Sequence, residues 1–357
     1  MEVALDVVLF LVGAAMVLGT IGSAVRTVIL PRGIPAKIAS VVFVTMRRLF
    51  NLRLRKVDSY TVRDRVMALY APLSLVALAV TWIAVVFTGY ILMFLGLGAR
   101  PLRSAFEVSG SSLLTLGFVR PNDLPKVALA FTEAAIGLTL LALLITYLPT
   151  LYSAFSRREA TVTLLEVRAS SPPSGVDMIE RYHRIRDLSD LSEVWERWEE
   201  WFVELEETHT SLPPLVFFRS PQPDHSWVTA AGAVLDAAAL HNSCIGPEPK
   251  AELCLRAGYI ALRRIADFFG IPYDADPSAD DPITIAREEF DAAYDRLATE
   301  GVAMVEDRDM AWLAFKGWRV NYDTVLVTLA SLVMAPYAPW SSDRSMSFRV
   351  RALRRNR

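Results

Sequence analysis

Four consecutive residues, Thr115-Leu116-Gly117-Phe118, carry the groups with which a protein strips water from a hard monovalent cation such as K+ or Na+. Such an ion leaves its hydration shell only for rings of oxygen atoms. Backbone carbonyls supply them, and the Thr115 hydroxyl adds one oxygen more. Gly117 tolerates a positive φ, so successive carbonyls can face one axis. A single strand gives one oxygen per ring, so the chemistry requires several copies of the chain, and a homotetramer is expected. No other cofactor or metal is implied.

An oxygen-lined strand must be held by elements around it. Residues Pro101–Val119 are too short and too polar to cross a membrane, yet too apolar for a plain exposed loop. Irregular backbone at membrane depth is tolerated where it is buried in protein or lines a watery path. A re-entrant helix from about Leu102 to Leu114, followed by an extended segment, meets that condition. The negative end of its dipole would favour a cation. Arg120 and Asp123 follow at the outer mouth.

The flanking segments are long and uncharged: Val7–Val25, Val66–Ala99 and Ala134–Ser156. About 20 apolar residues cross a bilayer core, so each qualifies as a span. The middle one is overlong and must tilt, project, or bend near Pro72. The acidic start Met1–Asp6 argues against a signal peptide. Ten Lys and Arg residues lie between Arg26 and Arg65, four between Arg100 and Lys126, and Arg157 and Arg158 follow the third span. Positive charge marks cytoplasmic loops, so the N-terminus and the Arg100–Lys126 connection are expected outside and the C-terminal half in the cytosol. The expected location is the cell inner (plasma) membrane, with several passes. Ile34–Arg48 reads as an amphipathic helix at the inner interface or a short buried one, and Asn51–Lys56 as a lipid-surface contact.

The order of outer helix, pore helix, Thr-Leu-Gly-Phe and inner helix resembles the two-transmembrane potassium-channel pore family, over about residues 66–160. Against that family's T-V-G-Y-G stand Thr115, Leu116, Gly117, Phe118 and Val119, preceded by Ser111 and Ser112 where small or hydroxyl residues are common. The resemblance implies a selectivity filter at Thr115–Val119 and an inner-helix hinge or gate at Gly137 and Pro149. Gly137 also reads as a helix-packing glycine, and Pro149 as a kink or the end of regular helix. Two positions depart from the pattern. Val119 replaces the second glycine, and a β-branched residue resists positive φ. Arg120 replaces an acidic residue, and four copies would repel cations at the mouth. Weakened ion selectivity is the implied consequence. Glu133, ionisable within a span, is expected to pair with Arg103 or Arg120 at the outer edge.

Hydrophobic residues make up 53% of the chain, and mean hydropathy is +0.33, but the apolar excess ends near residue 160. The stretch Ala160–Val167 reads as continued helix or a short strand, and Ser170–Gly175 as a linker. Helices are then expected at Asp190–Thr208, Trp227–Asn242, Lys250–Phe269, Ile283–Glu300 and Glu306–Met334. Net charge of −2 implies no nucleic-acid partner. Cys244 and Cys254 lack metal-ligand spacing, His241 and Cys244 lack catalytic context, and the acidic run Asp274–Asp281 does not fit a calcium loop. No enzyme motif is present. The expected fold is therefore membrane all-α. It comprises an N-terminal transmembrane helix (1–30), a basic interfacial segment (31–65), a channel-like pore (66–160), an all-α cytosolic domain (170–340) that assembles or gates the pore, and a basic tail (341–357) that either touches anionic lipid or is disordered. The regulatory ligand of the cytosolic domain is unassigned. The competing reading is a membrane-anchored cytosolic signalling or scaffold module whose pore-like region does not conduct.

Overall fold

In the computed structural model, which describes residues 2–30, 36–55, 57, 59–185 and 188–344, the first half forms six helices. They are α1 (Glu2–Val28), α2 (Lys37–Leu54), α3 (Tyr60–Ala68), α4 (Tyr70–Gly96), α5 (Leu102–Leu113) and α6 (Leu124–Ala169). The overlong apolar segment is interrupted at Leu69. Pro72 accounts for this, because a proline has no N–H for the carbonyl four residues back, that of Ala68. Pro149 also lacks its donor, yet α6 runs on for 20 residues past it, so it does not end the helix. The stretch Ala160–Val167 is continued helix.

The chain divides into two units, Met1–Lys56 with Leu69–Ser153, and Val57–Ala68 with Ala154–Arg357. The divisions thus fall between α2 and α3, between α3 and α4, and inside α6.

In the first unit, α1 packs along α4 through small residues. A Cβ on Gly89 would lie 2.9 Å from the Gly13 carbonyl oxygen, the close approach by which apolar helices associate without a hydrophobic drive. Trp82 Nε1 donates to Ser23 Oγ at 3.3 Å, and Arg100 pairs with Asp6 at 2.7 Å. The helix α2 lies beside α4, where the Tyr70 hydroxyl donates to the Phe43 carbonyl at 3.1 Å. Its other face exposes Val41, Leu49 and Leu52. Arg32 and Lys56 fall outside the described residues.

Four helical stretches are long and apolar enough to cross a membrane: Glu2–Val28, Tyr60–Gly96, Leu124–Ala169 and Trp227–Ile245. The fourth is 89% buried inside the protein, and its apolar sides are satisfied there without lipid. The other three are at most 39% buried and expose large apolar side chains such as Leu11, Leu18, Val76, Val80, Leu138 and Ile145. Apolar surface on this scale marks contact with lipid or other protein, and the unit is membrane-associated in character.

The second unit adds α7 (Gly175–Ile185), α8 (Leu191–Ser211), α9 (Trp227–Leu240), α10 (Pro249–Phe269), α11 (Arg287–Thr299), α12 (Arg308–Arg319) and α13 (Asp323–Val333). Every residue of α9 is buried, with α7, α10, α12 and α13 packed around it. The expected helix Glu306–Met334 is two. The Asn321 amide caps the Gly317 carbonyl at 2.9 Å, and Asp323 opens the next helix by accepting from Arg319 at 2.7 Å. Arg319 is fully buried and also binds Asp236, to which the Tyr322 hydroxyl donates at 2.9 Å. A buried charge is tolerated only with such complete pairing.

Two elements tie this unit to what precedes it in the chain. Val162, Leu165 and Ala169, at the end of α6, lie in its core. The Arg219 guanidinium binds Asp64 of α3 and donates to the Val333 and Met334 carbonyls, both at 2.8 Å. Arg344 pairs with Glu289 and Asp343, so this first arginine of the tail is engaged within the protein rather than free for lipid. Residues 345–357 lie outside the described residues.

Candidate functional site

The helix α5 spans almost the residues expected of it, and its end organises the loop that follows. The last carbonyls of a helix lack intrahelical partners. Here Gly110 O accepts from Leu114 N–H at 3.2 Å, and Ser112 O from Thr115 N–H at 3.0 Å. Ser111 O accepts from both Leu116 N–H (2.9 Å) and Gly117 N–H (3.3 Å). The Ser111 hydroxyl then accepts from Val119 N–H at 3.1 Å. A single serine therefore collects three inward-facing amides, those of Leu116, Gly117 and Val119.

A trans peptide is planar, with N–H and C=O opposed. Amides of 116, 117 and 119 that point at Ser111 therefore aim the carbonyls of Thr115, Leu116 and Phe118 the other way. Among the described residues none of these carbonyls accepts a hydrogen bond, and residues Leu114 to Phe118 are all exposed. What the loop presents is a short row of free carbonyl oxygens beside the exposed Thr115 side chain.

Backbone angles produce the row. Thr115 has φ +53° and Gly117 φ +69°, with a residue of negative φ between them, so positive and negative φ alternate. For glycine this is free. For β-branched threonine it costs about 1–3 kcal/mol, held in place by the bonds to Ser111 and Ser112. The alternation stops at Val119, which keeps a negative φ and turns its side chain toward the core of the first unit. Arg120 is exposed. Asp123 pairs with Lys126 at 2.7 Å and caps its backbone amide at 3.0 Å, so it is engaged in starting α6.

Behind the loop, two contacts fix α5 to α6. Glu133, expected to pair with Arg103 or Arg120, is instead fully buried and accepts from the Ser109 hydroxyl at 2.5 Å. Arg103 pairs with Glu107 at 2.7 Å. The second Glu133 oxygen has no partner among the described residues. Gly137 meets the end of α5, where a Cβ would stand 2.5 Å from the Leu113 carbonyl oxygen. It is thus a close-approach position against Leu113, which stands two residues before Thr115. Pro149 is remote in sequence from the loop and lies within continuous helix. The Ser109–Glu133 bond was not legible in the sequence, although an uncompensated carboxylate in an apolar helix is a signal that a partner must exist.

Both cysteines of the second unit are buried. Burial pushes the Cys244 thiol up to about 12 and raises Cys254 further, leaving both protonated and inert. Arg158 is buried and donates to Glu159, to the Leu215 (2.9 Å) and Phe218 (2.7 Å) carbonyls, and to His209 Nε2 at 3.1 Å. Arginine cannot accept, so His209 is neutral with its proton on Nδ1, facing the Leu205 carbonyl at 2.9 Å. Burial and the neighbouring guanidinium hold its pKa well below the ordinary range.

No protein-family model matches the chain, and neither does any curated protein or solved structure.

Proposed function

We propose that the chain is a passive cation channel, conducting potassium through a homotetrameric pore lined by Thr115–Phe118. The observation that carries this reading is the row of free carbonyls at Thr115, Leu116 and Phe118, created by turning three amides onto Ser111. Carbonyl oxygens turned out in this way, with a threonine held at positive φ beside them, are the ligand type that replaces a cation's hydration shell.

Assembly is supported by the exposed face of α6. Phe131, Leu138, Ile145 and Tyr152 recur every seven residues, with Leu141 and Leu148 between them, and all are 43–71% exposed. That spacing is the seam of a helical bundle, and a second copy's α6 matches it better than disordered lipid does. Only Thr115 and Gly117 take positive φ, so the oxygen row is shorter than a five-residue filter with two glycines would give. Modest discrimination between K+ and Na+ follows, and the exposed Arg120 lowers conductance at the mouth. The second unit gates or assembles the pore through the two helices that enter it, the end of α6 and α3, which one residue separates from α4.

The test is ion flux through purified full-length protein in liposomes under opposed potassium and sodium gradients, beside a Gly117→Asp control. Potassium-driven flux that is lost in the control is the expected result. Absence of flux for either ion from intact tetramers leaves a closed gate or the anchored scaffold.

A further inference from the structure

Ten of the seventeen described arginines of the second unit have a carboxylate partner, as in the pairs Arg157–Glu204, Arg184–Glu300, Arg264–Glu206, Arg296–Glu180 and Arg308–Asp295. Three that line one cavity do not. Arg168 donates to the Tyr182 hydroxyl at 3.1 Å and to the Leu164 carbonyl. Arg181 donates to the Val167 carbonyl at 2.6 Å and the Ser170 hydroxyl at 2.9 Å. Arg197 shows no bond among the described residues and is exposed. The cavity they share has a volume of about 420 Å³, within the ~300–1,000 Å³ of small-molecule sites. Its floor is apolar, made by Leu165, Val194 and Trp198, and Asp190 and Glu193 stand on its wall.

We propose that this cavity binds a small phosphomonoester. Planar guanidiniums fit phosphate oxygens in pairs. A phosphomonoester carries about −1.5 to −2 charge near neutral pH, which suits three cations offset by two carboxylates better than a single carboxylate ligand does. Asp190 and Glu193 would accept from hydroxyl or amine groups on the ester's body, and the apolar floor would take its carbon skeleton. The arginines that are already bonded to carbonyls and hydroxyls are pre-aimed, so little side-chain entropy is lost on binding. The site is built from α6, α7 and α8 together, so its occupant would brace the end of α6 against two other helices of the unit. This inference is independent of conduction.

The shared chemistry occurs in two sources, a soluble ester and a lipid headgroup, and glycerol 3-phosphate and phosphatidic acid carry the same phosphoglycerol group. The experiment is calorimetric titration of the detergent-solubilised full chain with glycerol 3-phosphate, with a parallel flotation assay on phosphatidic-acid vesicles. Saturable binding, weakened about tenfold or more in Arg197→Gln and tightened in Glu193→Gln, is expected. Arg197 makes no internal bond, so its loss spares the fold. Arg256→Gln, which removes an exposed arginine on α10, should change nothing. Vesicle binding with the same variant dependence but no soluble binding would assign the site to the lipid headgroup. Absence of saturable binding in both arms overturns the proposal, as does equal weakening in Arg256→Gln or indifference to Arg197→Gln.

Discussion

Replacing Gly137 by alanine is the sharpest perturbation of the carbonyl row that leaves the row itself untouched. The new Cβ would sit 2.5 Å from the Leu113 carbonyl oxygen and 3.0 Å from Leu113 Cδ1. Ordinary contact begins at 3.4 Å, so the closer approach is short by 0.9 Å. The obstacle is backbone, which no rotamer change removes. Overpacking of this kind costs about 1–3 kcal/mol, while alanine gains about 1 kcal/mol over glycine inside a helix. Net destabilisation is therefore about 0–2 kcal/mol, and a melting midpoint alone is a weak readout. Position is the stronger one. A shift near 1 Å at Leu113 exceeds the ~0.5 Å tolerance of a preorganised site, and Thr115 follows two residues later. Gly137→Ala should lower cation flux about tenfold or more, and speed hydrogen exchange at the Leu116 and Gly117 amides, as their bonds to Ser111 loosen. Gly22→Ala, with nothing within 4 Å of the new methyl, is the matched control and should be neutral or slightly stabilising. A Gly137→Ala protein with unchanged flux and unchanged amide protection would refute the packing argument. Altered flux with unchanged protection would identify Gly137 as a hinge instead.

Three further outcomes follow from the same contacts. Glu133→Ala leaves the Ser109 hydroxyl only the Phe87 carbonyl at 3.4 Å and should lower the detergent melting midpoint by the equivalent of about 1 kcal/mol, whereas Glu133→Gln keeps an acceptor and should lose less; equal losses would remove Ser109–Glu133 as a tether. Asp64→Ala should leave α3 held to Arg219 only by the Tyr60 hydroxyl at 3.2 Å, at a cost of about 2–3 kcal/mol, below the range for a fully enclosed pair because the side chains remain 11% and 12% exposed; limited proteolysis at residues 57–68 reads the loosening, and unchanged cleavage contradicts it. His209 is neutral in the fold with its pKa lowered, so its contribution to stability is complete above the unfolded value near 6.5 and is lost as pH falls below that value toward the folded pKa. Denaturant midpoints measured between pH 7.5 and 5 should decline, and His209→Gln, which still accepts from Arg158, should flatten the decline; an identical slope in the variant would assign the acid sensitivity elsewhere.

Much of the first unit was readable because its determinants are local or compositional. Charge-free stretches name the apolar helices whatever they pack against, and the short polar run before Thr115 names α5. Gly117 announces a positive φ since it alone in the row has no Cβ. Pro72 marks the interruption of the long apolar segment from the chemistry of one missing N–H. The helices α8, α9 and α10 are likewise set by their own periodicity.

Other features depend on which residues meet across the chain, and no local pattern encodes that. Thr115 at positive φ contradicts its own propensity and exists only because Ser111 and Ser112 hold the amides that follow. Glu133 chooses Ser109 over the arginines nearer in charge, since burial beside α5 puts a hydroxyl 2.5 Å away and leaves Arg103 to Glu107. The eleven-residue α7 is too short to stand alone and exists through the apolar face it lays against α9. Val57–Ala68 reads from composition as part of a basic interfacial stretch, yet it belongs with the C-terminal unit because Arg219, 155 residues from Asp64, reaches it. Composition and periodicity determined which segments are apolar helices and where an oxygen-bearing turn stands between them. Only tertiary packing decided which amides that turn gives up, and therefore which carbonyls it leaves free.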